Sequence, residues 1–514
     1  MDQHQADDQS AAFAFLADPA THGLGAGAPV ARVSTHGAEL FLAGPDVYKV
    51  KRAVRFPFMD FSTLEKRRAA CEAEIAVNRP NAPQLYVEAL PITRRNGGLA
   101  LGGEGEIVEW AARLRRFDAE ATFDRLAARG ALDETLARKL GATIAAAHRK
   151  AAQRRDSEAA ARLEGVIEDT TQAIADAPER FDAATTTKLA RRMRTAHAAL
   201  RSLLERREAH GFVRRCHGDL HLRNIVLLDG EPTLFDALEF DERLATCDVL
   251  YDLAFALMDL WTRGLEAQAN AVMNSYLATA GEMEAALEGL EALPLFLSLR
   301  AAIRARVALL EPELTPDKIA AARRLFEQAC AFLDERPPAL VAAGGRSGTG
   351  KTRFSQALAP RLGRAPGAVH LRSDVERKRL NGVGELDRLP PDAYRPELSA
   401  PVYRRLEALA AVALGAGQAV VLDAAFLKPA ERAGAERTAT DAGTRFCGLW
   451  LDAPLALRLE RVAARRSDAS DAGVEVARAQ EDYETGVMSW TRLDAAAPLT
   501  AMTKAALEAL DAKG

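Results

Sequence analysis

The sequence predicts a helix-rich α+β domain followed by an α/β domain built on a parallel sheet. Three observations carry that reading. Short β-like runs crowd the first hundred residues and then give way to long helical periodicity. The last third alternates apolar strands with helices, the pattern of a parallel sheet covered on both faces. Between the two, Asp334-Glu335-Arg336-Pro337-Pro338 breaks a helix with consecutive prolines. At 514 residues the chain is in any case too long for one core.

The elements follow in order. Residues 1–29 are an Ala-, Gly- and Asp-rich extension, loosely ordered or a short helix. From residue 30 to about 112 the runs Ala31-Arg32-Val33, Glu39-Leu40-Phe41-Leu42 and Val47-Tyr48-Lys49-Val50-Lys51 read as strands, with Gly44-Pro45-Asp46 as a turn. Asp60-Phe61-Ser62-Thr63-Leu64-Glu65 reads as a capped helix start, the helix running to Val77. Leu85 to Ile92 and Glu106 to Trp110 complete a small sheet with one helix inserted. From about 113 to 335 the pattern is helical, interrupted between Phe212 and Asp241 by two short strands around an Asp229-Gly230 turn. Beyond Pro338, strands are expected at Ala339–Ala343, Ala368–Leu371, Gln418–Leu422 and Phe446–Leu451, with a helix at Thr352–Leu362. The domains are therefore read as 30–335 and 338–514.

Composition excludes several classes. A net charge of -4 gives no global reason to bind nucleic acid or an anionic membrane surface. The five cysteines are scattered, odd in number and without C-x-x-C spacing, which suits a reducing cytosol better than a disulfide framework or zinc site. The start Met1-Asp2-Gln3-His4-Gln5 lacks a signal peptide's basic and apolar regions, and no run approaches 18 apolar residues. A cytoplasmic protein without nucleic-acid or membrane partners is expected.

Gly345-Arg346-Ser347-Gly348-Thr349-Gly350-Lys351-Thr352 is a complete G-x-x-x-x-G-K-[ST] loop between a strand and a helix. Its glycines let successive N–H groups turn onto phosphates, Lys351 brings a cation to the β/γ oxygens, and Thr352 offers a hydroxyl to Mg²⁺. Asp423 ends a strand at the carboxyl edge of the sheet, where it can hold Mg²⁺ through water or act as a base. Asp374 occupies a similar strand end and would face an acceptor hydroxyl, or cap the following helix, or both. Arg461, Arg465 and Arg466 follow the fourth strand as a candidate lid that neutralises transition-state charge.

A second constellation lies earlier: His217-Gly218-Asp219, then Asn224, then Asp236 after a strand, a turn and a strand. Phosphoryl transfer needs a carboxylate near the acceptor hydroxyl, metal ligands on the triphosphate and a lysine on its phosphates. Asp219 fits the first role, and the D-x-x-x-x-N spacing brings the Asn224 amide oxygen to one Mg²⁺, with Asp236 the second ligand. His217 would brace the loop, while His221 is expected to be solvated.

On these residues, 30–335 resembles the aminoglycoside phosphotransferase and choline kinase branch of the protein-kinase-like fold. Residues 338–514 resemble P-loop NTPases of the small-molecule kinase group that includes gluconate and shikimate kinases, zeta toxins and chloramphenicol phosphotransferase. The whole chain resembles bacterial fusions of two such halves. The resemblance implies Asp219 as catalytic base, Asn224 and Asp236 as metal ligands, and an ATP-binding lysine on the strand holding Lys49 and Lys51, with Lys49 preferred. Its ion-pair partner is read as Glu74, with Glu72 the alternative. The sequence departs from the branch's broader relatives in lacking a G-x-G-x-x-G loop and in reading Asp236-Ala237-Leu238 for D-F-G. No acidic cluster is placed for an aminoglycoside. The functions implied are ATP- and Mg²⁺-dependent phosphorylation of a hydroxyl on a small-molecule acceptor (sugar, polyol or antibiotic-like) at two sites, regulatory ATP binding by one half, or toxin-like phosphorylation of a nucleotide sugar.

Overall fold

The computed structural model describes residues 8–25, 27–56, 59–95, 97–155, 157–309, 314–390, 393, 396–464 and 469–512, the side chains of Pro396 and Glu397 excepted. Contacts divide the chain into two compact units. One holds residues 1–136, 146–159 and 207–256; the other holds 137–145, 160–206 and 257–514. The helices from residue 257 onward thus cluster with the parallel sheet, not with the sheet that precedes them in sequence.

In the first unit, six antiparallel strands pair in the order Val30–Ser34, Ala38–Ala43, Asp46–Lys51, Glu106–Arg115, Tyr86–Arg95 and Gly98–Leu101. Strand alternation sorts the side chains of Asp46–Lys51. Tyr48 and Val50 join Phe41 and Leu16 in a buried cluster, which leaves Lys49 and Lys51 together on the opposite face. Leu16 belongs to the helix Ser10–Ala17, so the N-terminal extension supplies a short helix that packs on the sheet core. The helix Leu64–Asn78 starts at Thr63, whose hydroxyl accepts from the Lys66 N–H, and packs Cys71 and Ile75 into a second cluster with Tyr86 and Trp110.

Two small strand pairs follow. Ile225–Leu228 pairs with Glu231–Leu234 through Asp229 and Gly230, both at positive φ (50° and 78°), as a two-residue hairpin loop requires. Val213–Arg215 pairs with Thr246–Asp248. These frame the loop that carries His217, Asp219 and Asn224.

The second unit holds the helices Ala183–Ala209 (from its residue 206 back), Glu266–Thr279, Met283–Gly289, Leu293–Ala308 and Pro316–Ala331, and a five-stranded parallel sheet. Its strand order is Val369–Arg372, Val420–Asp423, Ala339–Gly344, Arg445–Asp452, Thr491–Asp494. The central strand Ala339–Gly344 is buried at every residue, as apolar strands covered on both faces must be. Phe354 and Leu358 of the following helix pack on it. The helix expected over Thr352–Leu362 runs as Lys351–Leu358 and ends in a 3₁₀ turn at Ala359–Arg361. Among the described residues no helix is long and apolar enough to cross a membrane.

Candidate active sites

The first site is built on the loop after Val213–Arg215. Gly218 sits at φ +84°, and a Cβ there would meet the Leu238 Cβ at 3.1 Å and Ala245 at 3.2 Å, so both conformation and space call for glycine. The loop is braced from below by Asp252, which is fully buried and accepts from the N–H groups of His217 (3.2 Å) and Gly218 (2.8 Å) and bonds His148 Nε2 at 3.1 Å. His217 Nε2 bonds the Phe235 carbonyl at 2.9 Å, and its Nδ1 accepts from the Asp219 N–H at 3.3 Å. Asn224 then fixes the carboxylate: its Nδ2 donates to the Asp219 carbonyl (2.9 Å) and to Asp219 Oδ2 (3.0 Å). His221 is buried rather than solvated. Its Nε2 lies 3.4 Å from Asp219 Oδ2 and its ring packs edge-on against Phe255, which covers it.

Opposite this loop the two strand lysines converge on Glu74. Lys49 Nζ lies 2.8 Å from Glu74 Oε1 and 2.8 Å from Asp236 Oδ1; Lys51 Nζ lies 2.6 Å from Glu74 Oε2 and 2.5 Å from Glu239 Oε1. Glu72 is instead exposed and pairs with Arg68 on its own helix. Burial alone would lower Lys49, but Asp236 and Glu74 more than offset it and hold the ammonium well above its usual range. Lys49 in turn brings Asp236 down to about 2, against the effect of burial. Asp236 adopts φ 58°, a conformation rare outside glycine, and its N–H donates to the Tyr86 hydroxyl at 2.9 Å. Its side chain is still 45 % exposed, so an oxygen can reach a ligand. Carboxylate and amide oxygens from Asp236, Asp219 and Asn224 are hard donors of the kind Mg²⁺ takes.

The second site sits at the carboxyl edge of the parallel sheet. A Cβ at Gly348 (φ +87°) would fall 2.5 Å from the Arg458 carbonyl, so the loop closes only around glycine there. Lys351 Nζ donates to the carbonyls of Gly345 (2.8 Å) and Arg346 (3.2 Å) of its own loop. The Ser347 N–H donates to Gln480 Oε1 at 2.6 Å and Arg346 Nε to the Gln480 carbonyl at 2.8 Å; Thr349 Oγ1 donates to the Arg346 carbonyl at 2.9 Å. Thr352 Oγ1 lies 2.7 Å from Asp423 Oδ2, and His370 Nε2 lies 3.3 Å from the same oxygen. Burial would raise Asp423, but the hydrogen bond from His370, with Arg372 and Lys351 nearby, brings it down to about 2. A hydroxyl and a carboxylate side by side at a helix N-terminus suit a hydrated Mg²⁺ on a triphosphate.

Asp374 does not cap the helix Ser373–Leu380, whose N-cap is Arg372; it is the second helical residue and lines a cavity of about 400 Å³ with Lys351, Thr352, Asp423 and Arg461. Burial pushes its carboxyl above the ordinary value, and the neighbouring Asp423 adds to that. Arg461 Nη1 donates to the Thr349 carbonyl at 3.3 Å and Nη2 to the Ala495 carbonyl at 3.0 Å, which ties it to the loop. Arg465 and Arg466 lie outside the described residues. The cavity is also lined by Arg377, Ser399, Tyr403, Lys428 and Glu431, none of which the motifs single out. Asp252, His370 and Gln480 were also missed. A buried acid in the apolar helix Val249–Thr262 was the available signal for Asp252.

Residues 45–293 match the phosphotransferase enzyme family, and residues 340–485 match the AAA domain family. Uncharacterized proteins of Mycobacterium tuberculosis and of Mycobacterium bovis are each 29 % identical over 477 residues, covering 90 % of this chain and 92 % of their own. Among solved structures, a choline/ethanolamine kinase family protein from Mesorhizobium loti aligns at 15 % identity and TM-score 0.36, over 62 % of this chain and 95 % of that one. A gluconokinase from Sinorhizobium meliloti aligns at 22 % identity and TM-score 0.25, over 34 % of this chain and 94 % of that one.

Proposed function

With residues 45–293 a phosphotransferase-family domain and residues 340–485 an AAA-family P-loop domain, we propose that this chain is an ATP-dependent phosphotransferase with two nucleotide sites, each directed at a hydroxyl group of a small molecule such as a sugar or polyol. One observation carries the reading. In the first unit the candidate phosphate-binding Lys49 meets the candidate metal ligand Asp236 at 2.8 Å; in the second two candidate metal ligands, Thr352 and Asp423, meet at 2.7 Å directly after the loop lysine Lys351.

Mg·ATP would supply the phosphoryl group and the metal would neutralise its charge. The residues of the chain do the rest. In the first site Asp219 orients the acceptor hydroxyl and takes its proton, and the Asn224 amide keeps the carboxylate aimed. Lys49, steadied by Glu74, meets the phosphates, and Asp236 and Asn224 offer the metal ligands. In the second site the loop amides and Lys351 cradle the phosphates, Thr352 and Asp423 face the metal, and Asp374 faces the acceptor. Arg461 sits where charge builds on the transferred group. The mixture of Arg377 and Lys428 with Glu431, Ser399 and Tyr403 in the cavity lining suits a polyhydroxylated molecule better than an apolar one.

The test is ADP release from Mg·ATP by the full chain against a panel of sugars, polyols and aminoglycosides. An acceptor that loses its stimulation in Lys351→Ala but keeps it in Asp219→Ala belongs to the P-loop site, and the converse pattern marks the other. ADP release that is stimulated by no acceptor, or that is equal in wild type and both variants, contradicts the proposal.

A further inference from the structure

The strand Val369–Arg372 lies at the edge of the parallel sheet, bonded to Val420–Asp423 on one side only. Alternate residues of such a strand point their N–H and C=O groups outward, where an unpaired row invites another chain. Val369 donates inward to the Ala419 carbonyl, so the outward groups on either side of it are the Ala368 carbonyl and the His370 N–H. Both are taken by a helix. Asn274 of Glu266–Thr279 accepts from the His370 N–H at 2.7 Å and donates to the Ala368 carbonyl at 3.1 Å. A neighbouring parallel strand would offer the same pair: one residue's N–H to the carbonyl before Val369 and its C=O to the N–H after it. The Asn274 amide therefore stands in for one residue of a sixth strand. Asn270, one turn earlier and buried, donates to the carbonyls of Pro366 (3.0 Å) and Ala368 (3.0 Å). One turn later, the Ala278 carbonyl accepts from Arg379 Nη2 at 2.7 Å. Residues 270, 274 and 278 form one face of the helix.

What this face holds is the candidate P-loop site. The edge strand carries His370, which bonds Asp423, and runs directly into Ser373-Asp374; Arg379 anchors the far end of the helix Ser373–Leu380, whose first turn holds Asp374. Yet Glu266–Thr279 lies inside residues 45–293, the stretch that matches the phosphotransferase family.

We propose that Glu266–Thr279 is a working part of the P-loop site, and that Asn274 and Asn270 are positioning residues that hold Val369–Arg372, and with it His370 and Asp374, in place for phosphotransfer. This rests on the reading that the P-loop site turns over Mg·ATP. It follows that the family boundary near residue 293 and the functional boundary of the P-loop half do not coincide.

The experiment uses the full chain with Asp219→Asn, so that hydrolysis of Mg·ATP reports the P-loop site alone, defined as the rate that Lys351→Ala removes. Adding Asn274→Ala should lower kcat about ten-fold while KM for ATP stays within about two-fold, since displacement by a fraction of an ångström acts on the reacting geometry and not on nucleotide binding. Amide hydrogen exchange should quicken at His370 and stay unchanged in the central strand Ala339–Gly344. Asn274→Asp keeps the acceptor for His370 and loses the donor to Ala368, so it should fall between wild type and Asn274→Ala; it also serves if the alanine variant fails to fold. Wild-type kcat in these variants, or a loss confined to thermal stability with kcat unchanged, overturns the proposal. Hydrolysis untouched by Lys351→Ala would instead remove the P-loop reading on which it stands.

Discussion

Lys49 and Lys351 are the corresponding cations of the two halves, and they are held in opposite ways. Lys49 lies between two carboxylates, Glu74 and Asp236, within a buried group that also contains Lys51 and Glu239. Lys351 rests on neutral carbonyls of its own loop. A phosphate arriving at Lys351 exchanges one set of neutral acceptors for charged oxygens. A nucleotide arriving at Lys49 enters an existing balance of charge, and a metal on Asp236 must share that carboxylate with the lysine. The lysine of the first site is ordered by ion pairs before any ligand binds; the lysine of the second is ordered by the backbone of a glycine loop. Each order is a different vulnerability to substitution.

The largest expected effect tests whether the two sites work separately. Asp219→Asn removes the candidate base of the first site and should lower its kcat by about 10²–10⁴-fold while sparing ATP affinity. Transfer to an acceptor of the P-loop site should be unchanged in this variant. Loss of both activities together would mean that the two sites act as one.

The next contrast is in stability. Glu74→Gln leaves Lys49 and Lys51 buried with one carboxylate each, Asp236 and Glu239, in place of two, and breaking a buried pair in this way costs about 3 kcal/mol. Lys351→Ala removes charge-assisted hydrogen bonds to two loop carbonyls, but Lys351 is only half-buried and water can replace its ammonium there, so the loss should stay at about 1.5 kcal/mol. Chemical denaturation of the two variants should therefore show the larger loss for Glu74→Gln. An equal or reversed order would mean that the ion-pair group does not hold the first site together.

The smallest effect concerns pH. Burial raises the Asp374 carboxyl, so as a base it becomes competent only above a pH higher than the ordinary 3.8. P-loop turnover in the Asp219→Asn background should fall on acidification before an unperturbed aspartate would protonate, and Asp374→Asn should abolish that acid limb along with most of the rate. Stability runs the other way at the neighbouring Asp423. Its folded value of about 2 lies below the ordinary 3.8, so its contribution is complete above that value and is lost as pH falls through about 2. P-loop activity should therefore fall at a higher pH than the one at which the stability contribution of Asp423 is lost.

Much of this was legible in the chain because it is local. The spacing from Asp219 to Asn224 is closed by one tight loop, and the glycine-rich loop needs only a strand before it and a helix after. Lys49 against Lys51 was undecidable in sequence because strand alternation puts both on one face and Glu74 has an oxygen for each. His221 was misjudged because its cover, Phe255, comes from a distant helix. Thr491–Asp494 escaped notice as a strand because it is an edge strand with Leu493 its one buried residue, which leaves no apolar run to read. Asn270 looks like an ordinary polar residue in a helix; its partner at Ala368 is 98 residues away, beyond the reach of any periodicity.

The central claim is that one chain carries two separate Mg·ATP sites, and isothermal titration of the full-length protein with Mg·ATP tests it most directly. The expected result is two nucleotides per chain in the wild type, one in Asp236→Ala, one in Lys351→Ala, and none in the double variant. A wild type that binds one nucleotide, or single variants that each still bind two, would contradict it.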